Sequence, residues 1–74
     1  HMTEQYPRFI EISRVGTEQQ LEGFRSKLAR DNIQLTVRST ASSIWIPTGW
    51  KRFKITLTFP DASAYTLWTL KYNG

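Results

Sequence analysis

The residue types in this sequence that are best suited to chemistry are cations and aromatic rings, and they are concentrated after Asp31. From His1 to Asp31 acidic and basic residues are equal in number, whereas a single acid, Asp61, follows. The basic residues of this second half are Arg38, Lys51, Arg52, Lys54 and Lys71. Cations neutralise phosphates and aromatic faces stack on unpaired bases, so this composition is typical of a surface that meets an anionic partner.

Groups that perform catalysis or hold metals are scarce. The chain has no cysteine, and its single histidine, His1, stands beside Met2 in what resembles a cloning remnant. Nucleophile–histidine pairs, thiol nucleophiles and the commonest metal ligands are therefore missing. The glycines stand isolated, so no glycine-rich loop cradles a phosphate. We expect a protein that is not an enzyme and that uses neither a cofactor nor a metal ion.

The size of the chain limits its architecture. A sequence of 74 residues forms one small core and buries only about 60% of its unfolded surface. We expect a disordered N-terminus over residues 1–5 and a single domain over residues 6–74. The lack of cysteine favours a reducing, cytoplasmic setting, and no apolar run is long enough to span a membrane.

The stretch from Trp50 to Tyr72 predicts a β-hairpin. Its first arm alternates strictly between apolar and polar side chains, so one face belongs to the core. The apolar residues of this arm are Phe53, Ile55, Leu57 and Phe59. Pro60 and Asp61 are typical of a tight turn, and β-forming residues resume at Tyr65.

The length of that turn decides what the second arm exposes, because a slip of one residue moves every side chain to the other face. If Phe59 lies opposite Ser63, the outer face holds Trp50, Arg52, Lys54, Trp68, Leu70 and Tyr72. If Phe59 instead lies opposite Ala64, Trp68 and Leu70 enter the core, and the outer face holds Tyr65, Leu67, Thr69 and Lys71. The sequence leaves both registers open.

The first half of the chain predicts a strand, a helix and a second strand. Residues 8–15 are rich in β-formers, and Thr17 with Gln20 forms a capping box for a helix that begins at Glu18. Its apolar stripe is formed by Leu21, Phe24 and Leu28, and Asp31-Asn32 is a plausible stop. A half-buried strand follows, in which Ile33, Leu35 and Val37 alternate with polar residues.

Residues 39–49 are too long for a tight turn and carry Ile44, Trp45 and Ile46 on a serine-rich background. Such apolar residues either fold back as a lid over one end of the core or stand out as a contact site. We favour the lid, because a core this small readily recruits a tryptophan.

These elements predict an α+β fold with the order β-α-β-β-β. One helix packs on one face of a four-stranded, mostly antiparallel sheet, and the crossover makes the first two strands parallel. With a single helix available, the opposite face stays largely open. That open face is where function is expected.

The favoured function is nucleic-acid binding, with phosphates on the cations and bases stacked on exposed rings. The candidate residues are Arg38, Trp50, Lys51, Arg52, Lys54, Trp68, Lys71 and Tyr72. The sequence does not choose between DNA and RNA and does not set an oligomeric state. The alternative is a protein-interaction module, whether inhibitor, adaptor or self-assembling subunit, that uses the same surface or an exposed sheet edge.

Overall fold

The computed structural model describes residues 6–73, with side chains to residue 72. The expectation for residues 1–5 lies outside this range. The strands are β1 (Phe9–Gly16), β2 (Gln34–Ala41) and β3 (Lys51–Thr58), and the helices are α1 (Glu18–Ala29) and α2 (Ala62–Trp68). A π-helical segment, Thr69–Asn73, directly continues α2. The chain is thus a small α+β structure with a three-stranded sheet.

The three strands lie in the order β1-β3-β2, and both neighbours run antiparallel to β3. β1 and β2 consequently run parallel to each other, as the crossover through α1 requires, but β3 lies between them. Leu57 shows the arrangement, since it pairs with Ile10 of β1 on one side and with Leu35 of β2 on the other. Both edges of β3 are occupied.

The helix α1 begins and ends where the sequence predicts. The Thr17 hydroxyl accepts from the Gln20 amide at 3.1 Å, and the Gln20 side chain accepts from the Thr17 amide at 3.1 Å. At the other end Asn32 takes a left-handed φ of 63°, and the Ile33 amide donates to the Leu28 carbonyl at 3.0 Å. Both the capping box and the Asp31-Asn32 stop are therefore confirmed.

The core lies on one face of the sheet. Phe53, Ile55 and Leu57 of β3 are buried, and the predicted stripe of α1, which ends at Leu28, covers them. Fully burying a side chain of this size contributes roughly 1.5–3 kcal/mol, so the central strand and α1 supply much of the stability.

The predicted second arm of the hairpin is wrong, and with it the fourth strand. The chain after Phe59 forms α2 in place of a strand. Asp61 is the N-cap of this helix, and its carboxylate accepts from the Ala64 amide at 2.9 Å. Neither proposed register exists. The physical reason lies in the sheet order: β1 and β2 occupy both sides of β3, so no edge remains for a returning strand.

Contacts between aromatic rings pack this C-terminal helix against the same side of the sheet as α1. Phe59 contacts Tyr65 with ring centroids 5.3 Å apart and Trp68 at 6.0 Å. Tyr72 meets Phe24 of α1 edge to face at 5.7 Å. Within the described range both helices therefore cover one sheet face, and the other has no helix on it.

Over residues 6–73, neither helix has the length and apolar character that crossing a membrane would require.

Candidate functional site

The open face is the side of the sheet opposite the two helices. Strand alternation assigns to it the side chains that point away from the core. Its members are Phe9, Glu11, Ser13 and Val15 of β1, Gln34, Thr36, Arg38, Ser39 and Ala41 of β2, and Arg52, Lys54, Thr56 and Thr58 of β3. On β3, Arg52 and Lys54 lie toward one end of this surface and Thr56 and Thr58 toward the other, where Arg38 of β2 shares a groove with the threonines.

Arg52 and Lys54 stand on the central strand among small or uncharged neighbours. Across the sheet Ser13 and Ser39 pair with Lys54, and Val15 and Ala41 pair with Arg52. Both cations are exposed. No charged side chain pairs directly with either cation, and the nearest acid of this face, Glu11, lines a shallow cleft together with Lys54.

Arg38 joins them through an irregularity in β2. The register shifts between Val37, which pairs with Ile55, and Ser39, which pairs with Lys54. A β-bulge inserts one residue without a partner and redirects its side chain. Arg38 is that residue, and it lines a shallow groove on the open face together with Thr36 and Glu11. Strand alternation places Arg38 on the open face with Thr36, and the bulge leaves it there without a cross-strand partner.

The helical side is the side of the sheet on which α1 and α2 pack, and three of its cations differ from the open-face group because they have partners. Lys51 Nζ lies 3.0 Å from Glu18 Oε2, and Lys71 Nζ lies 3.0 Å from Asp31 Oδ2. The guanidinium carbon of Arg14 lies over the ring of Phe24, 4.2 Å from its centroid. These groups are already engaged within the protein.

No carboxylate of residues 6–72 comes within 4.0 Å of the guanidinium or ammonium groups of Arg38, Arg52 and Lys54. On the open face this described range contributes one acid, Glu11, which pairs with Thr56 across β3. The positive charge of this face is therefore left available to an anionic ligand.

The loop between β2 and β3 projects a tryptophan. The Ser43 carbonyl accepts from the Ile46 amide at 3.1 Å, and the Ser43 hydroxyl accepts from the Trp45 amide at 3.0 Å. Ile44 and Trp45 are 90% and 87% exposed. The favoured lid interpretation is thus wrong, because the turn around Ser43 directs these side chains away from the core.

Trp45 and Arg52 meet at a shallow cleft beside the open face. Its lining also includes Ala41, Ser42, Ser43 and Ile46. Sequence reasoning left Trp45 out of the candidate set because it favoured burial there. The signal that points the other way is local: serine two residues before the tryptophan supplies the side-chain acceptor that holds the turn.

The structure divides the eight candidate residues into two groups. Arg38, Arg52 and Lys54 lie on the open face, and Trp50, 37% exposed, stands directly before β3 at the end of the loop. The others lie on the helical side: Lys51 and Lys71 in ion pairs, Trp68 half-buried against the core, and Tyr72 against Phe24. The proposed row of rings on the sheet is therefore not formed.

The described residues do not assemble a cluster of metal-binding side chains. Residues 6–73 contain no cluster of three His, Cys, Asp or Glu side chains that could hold a metal ion. On the open face stand cations without an acid partner among residues 6–72, and the loop beside that face carries an exposed ring, a combination that suits anions and flat apolar groups.

Comparison with known proteins gives no match to a family model, to a curated protein or to a solved structure. Any functional assignment therefore rests on the geometry of the open face and its loop.

Proposed function

We propose that this chain is a non-enzymatic nucleic-acid-binding domain that contacts phosphates through the open face. The single observation that carries the proposal is the group formed by Arg38, Arg52 and Lys54, which lack a carboxylate partner among the described residues while several cations of the helical side have one. Such a group neutralises consecutive phosphates and releases their counterions. The cytoplasm is the proposed compartment, because the chain uses no cysteine.

The geometry favours backbone contacts over reading of base pairs. Arg52 and Lys54 are two residues apart on one strand, so their Cα atoms are separated by roughly 6.6 Å. This spacing is close to that of successive phosphates in an extended strand. The chain therefore binds along a phosphate backbone, with affinity set by salt.

The test is a fluorescence anisotropy titration of labelled oligonucleotides, performed at about 50 mM and about 200 mM salt. Three phosphate contacts give a slope of about −2 for log affinity against log salt, which corresponds to an affinity loss of about 20-fold between these conditions. The variant Arg52→Ala/Lys54→Ala should keep one contact and a slope of about −1.

A matched control removes the same charge from the helical side. Lys27 on α1 and Arg30 at its C-cap are exposed, so Lys27→Ala/Arg30→Ala lowers net charge by the same amount without touching the open face. This control should bind with nearly wild-type affinity and slope. If both double variants lose the same amount of affinity, the binding is nonspecific attraction by net charge. That result would refute the proposed site.

A protein-interaction module is the second candidate, favoured by a different observation. Ile44 and Trp45 form an exposed apolar tip, and tryptophan is enriched at interface hot spots. Within the described residues the outer edge of β2 also has no neighbouring strand, so it offers backbone groups for strand addition. An inhibitor, adaptor or self-assembling subunit would use these features.

Sedimentation and salt response separate this candidate from the first. A self-assembling subunit shows a mass above that of the monomer, and Ile44→Ser should reduce that mass. A binding event centred on the apolar tip should also persist as salt rises, in contrast to phosphate binding.

A further inference from the structure

The backbone that carries the exposed indole of Trp45 is held by hydrogen bonds within the loop. In the first turn the hydroxyl and the carbonyl of Ser43 accept from the amides of Trp45 and Ile46. In the second turn the Trp50 amide donates to the Pro47 carbonyl at 3.0 Å. Gly49 takes a φ of +88°, a conformation that glycine adopts without a steric penalty. Two consecutive turns therefore hold the backbone on either side of the ring.

A loop whose backbone is hydrogen-bonded in this way presents Trp45 to a ligand from a pre-organised backbone. Binding does not then have to pay the full entropy of ordering the loop. Trp45 is also large and nearly fully exposed, which is the form of apolar surface that marks interaction sites.

The chemistry of the cleft beside Trp45 indicates what that ligand contains. Trp45 and Arg52 both line this cleft, while Ile46 and the small side chains of Ala41, Ser42 and Ser43 complete its lining. An aromatic face beside a cation suits a group that joins a flat ring to an anion. In nucleic acid that group is one nucleotide, whose base stacks and whose phosphate pairs with the guanidinium.

We propose that the cleft between Trp45 and Arg52 binds one unpaired nucleotide, so that this chain prefers single-stranded nucleic acid to duplex. This inference rests on the proposed function. A base within a duplex has both faces covered by its neighbours, and unstacking it costs a few kcal/mol per step. A base in a single strand presents a free face to the indole.

The experiment compares three ligands of equal length: a short single-stranded oligothymidylate, an abasic strand with the same phosphates, and a duplex. Stacking on one aromatic side chain gives the wild-type chain a preference of about 10-fold for the thymidine strand over the abasic one. Trp45→Ala should abolish this preference while its affinity for the abasic strand stays at the wild-type level. Trp45→Phe should restore part of the preference.

The control is Ile44→Ala, which removes an equally exposed apolar side chain from the same turn. It should keep the wild-type preference, because it leaves the ring in place. Quenching of tryptophan fluorescence by the thymidine strand should also be larger in the wild-type chain than in Trp45→Phe, which retains the other two tryptophans.

The outcomes distinguish a failure of this inference from a failure of the proposed function. Equal affinity for the thymidine and abasic strands, or tighter binding of duplex, overturns the cleft assignment and leaves phosphate binding intact. Failure to bind any of the three ligands at low salt overturns both. A third outcome is that a protein binds at the tip of the loop, with an affinity that salt does not change and that is lost in both Ile44→Ala and Trp45→Ala. This outcome would overturn the nucleotide assignment and show that the cleft takes an apolar side chain of a protein partner.

Discussion

The two sides of the sheet carry the same residue types in opposite states. On the helical side Lys51 and Lys71 meet carboxylates at 3.0 Å, and the ring of Trp68 packs against Phe59. On the open face Arg52 has no acid partner among the described residues, and in the loop beside that face the ring of Trp45 is almost fully exposed. Composition alone is therefore a poor guide to function, because a cation or a ring binds a ligand only where the fold leaves it unsatisfied.

The largest expected effect contrasts the two tryptophans. Trp68→Ala should lower the free energy of unfolding by about 2–4 kcal/mol, because it removes a half-buried ring that holds α2 on the core. Trp45→Ala should change it by no more than about 0.5 kcal/mol. Urea unfolding followed by circular dichroism measures both, and equal losses would show that the loop ring is structural after all.

The next effect contrasts the cations. Arg52→Ala/Lys54→Ala should weaken oligonucleotide binding about 30-fold at low salt, since it removes two charge-assisted contacts. Lys51→Ala/Lys71→Ala removes the same charge from ion pairs on the helical side and should weaken binding by no more than about 3-fold. Anisotropy titrations give both values. The reverse ranking would move the binding surface to the helical side.

A smaller effect separates stability from binding. Asp61→Ala removes the acceptor of the Ala64 amide at the start of α2 and should lower the free energy of unfolding by about 1 kcal/mol. Affinity for the oligonucleotide, measured well below the melting temperature, should stay unchanged. A loss of affinity in this variant would mean that α2 takes part in binding.

The smallest effect concerns the acid of the open face. Glu11→Gln removes a negative charge from the groove that Arg38 lines and should tighten oligonucleotide binding about 2-fold at low salt. The difference should vanish as salt rises, because surface charges are then screened. Weaker binding would instead assign Glu11 a direct contact with the ligand.

The first half of the fold was predictable because its local signals agree with one another. The capping box of Thr17, the stripe that ends at Leu28 and the stop at Asn32 all describe one helix, and the structure confirms each. Consistent signals of this kind are typical of a foldable segment.

Residues 62–73 were predicted wrongly because their side chains suit both the two-residue period of a strand and the 3.6-residue period of a helix. Tyr65, Trp68 and Tyr72 are strong β-formers, yet they fall at i, i+3 and i+7, which places them on one face of a helix. The deciding information is not local: β3 has a strand on each side, so the chain after Phe59 finds no free edge there.

The candidate site was predictable only where strand alternation decides exposure. Arg52 and Lys54 follow directly from the buried alternation of Phe53 and Ile55, and the structure places them on the open face. The exposure of Arg38 follows from the same alternation in β2, but the bulge at Arg38 and the turn that exposes Trp45 do not. Neither irregularity has a period that a sequence pattern reveals.

The most direct test of this account is an amide chemical-shift titration by NMR with a short single-stranded oligonucleotide at low salt. Binding at the open face should shift the amides of residues 38–54 and the indole signal of Trp45, while those of α1 and α2 remain nearly unchanged. Shifts concentrated in the helices, or no shifts at all, would contradict the claim that the unpaired cations of the open face form the binding surface.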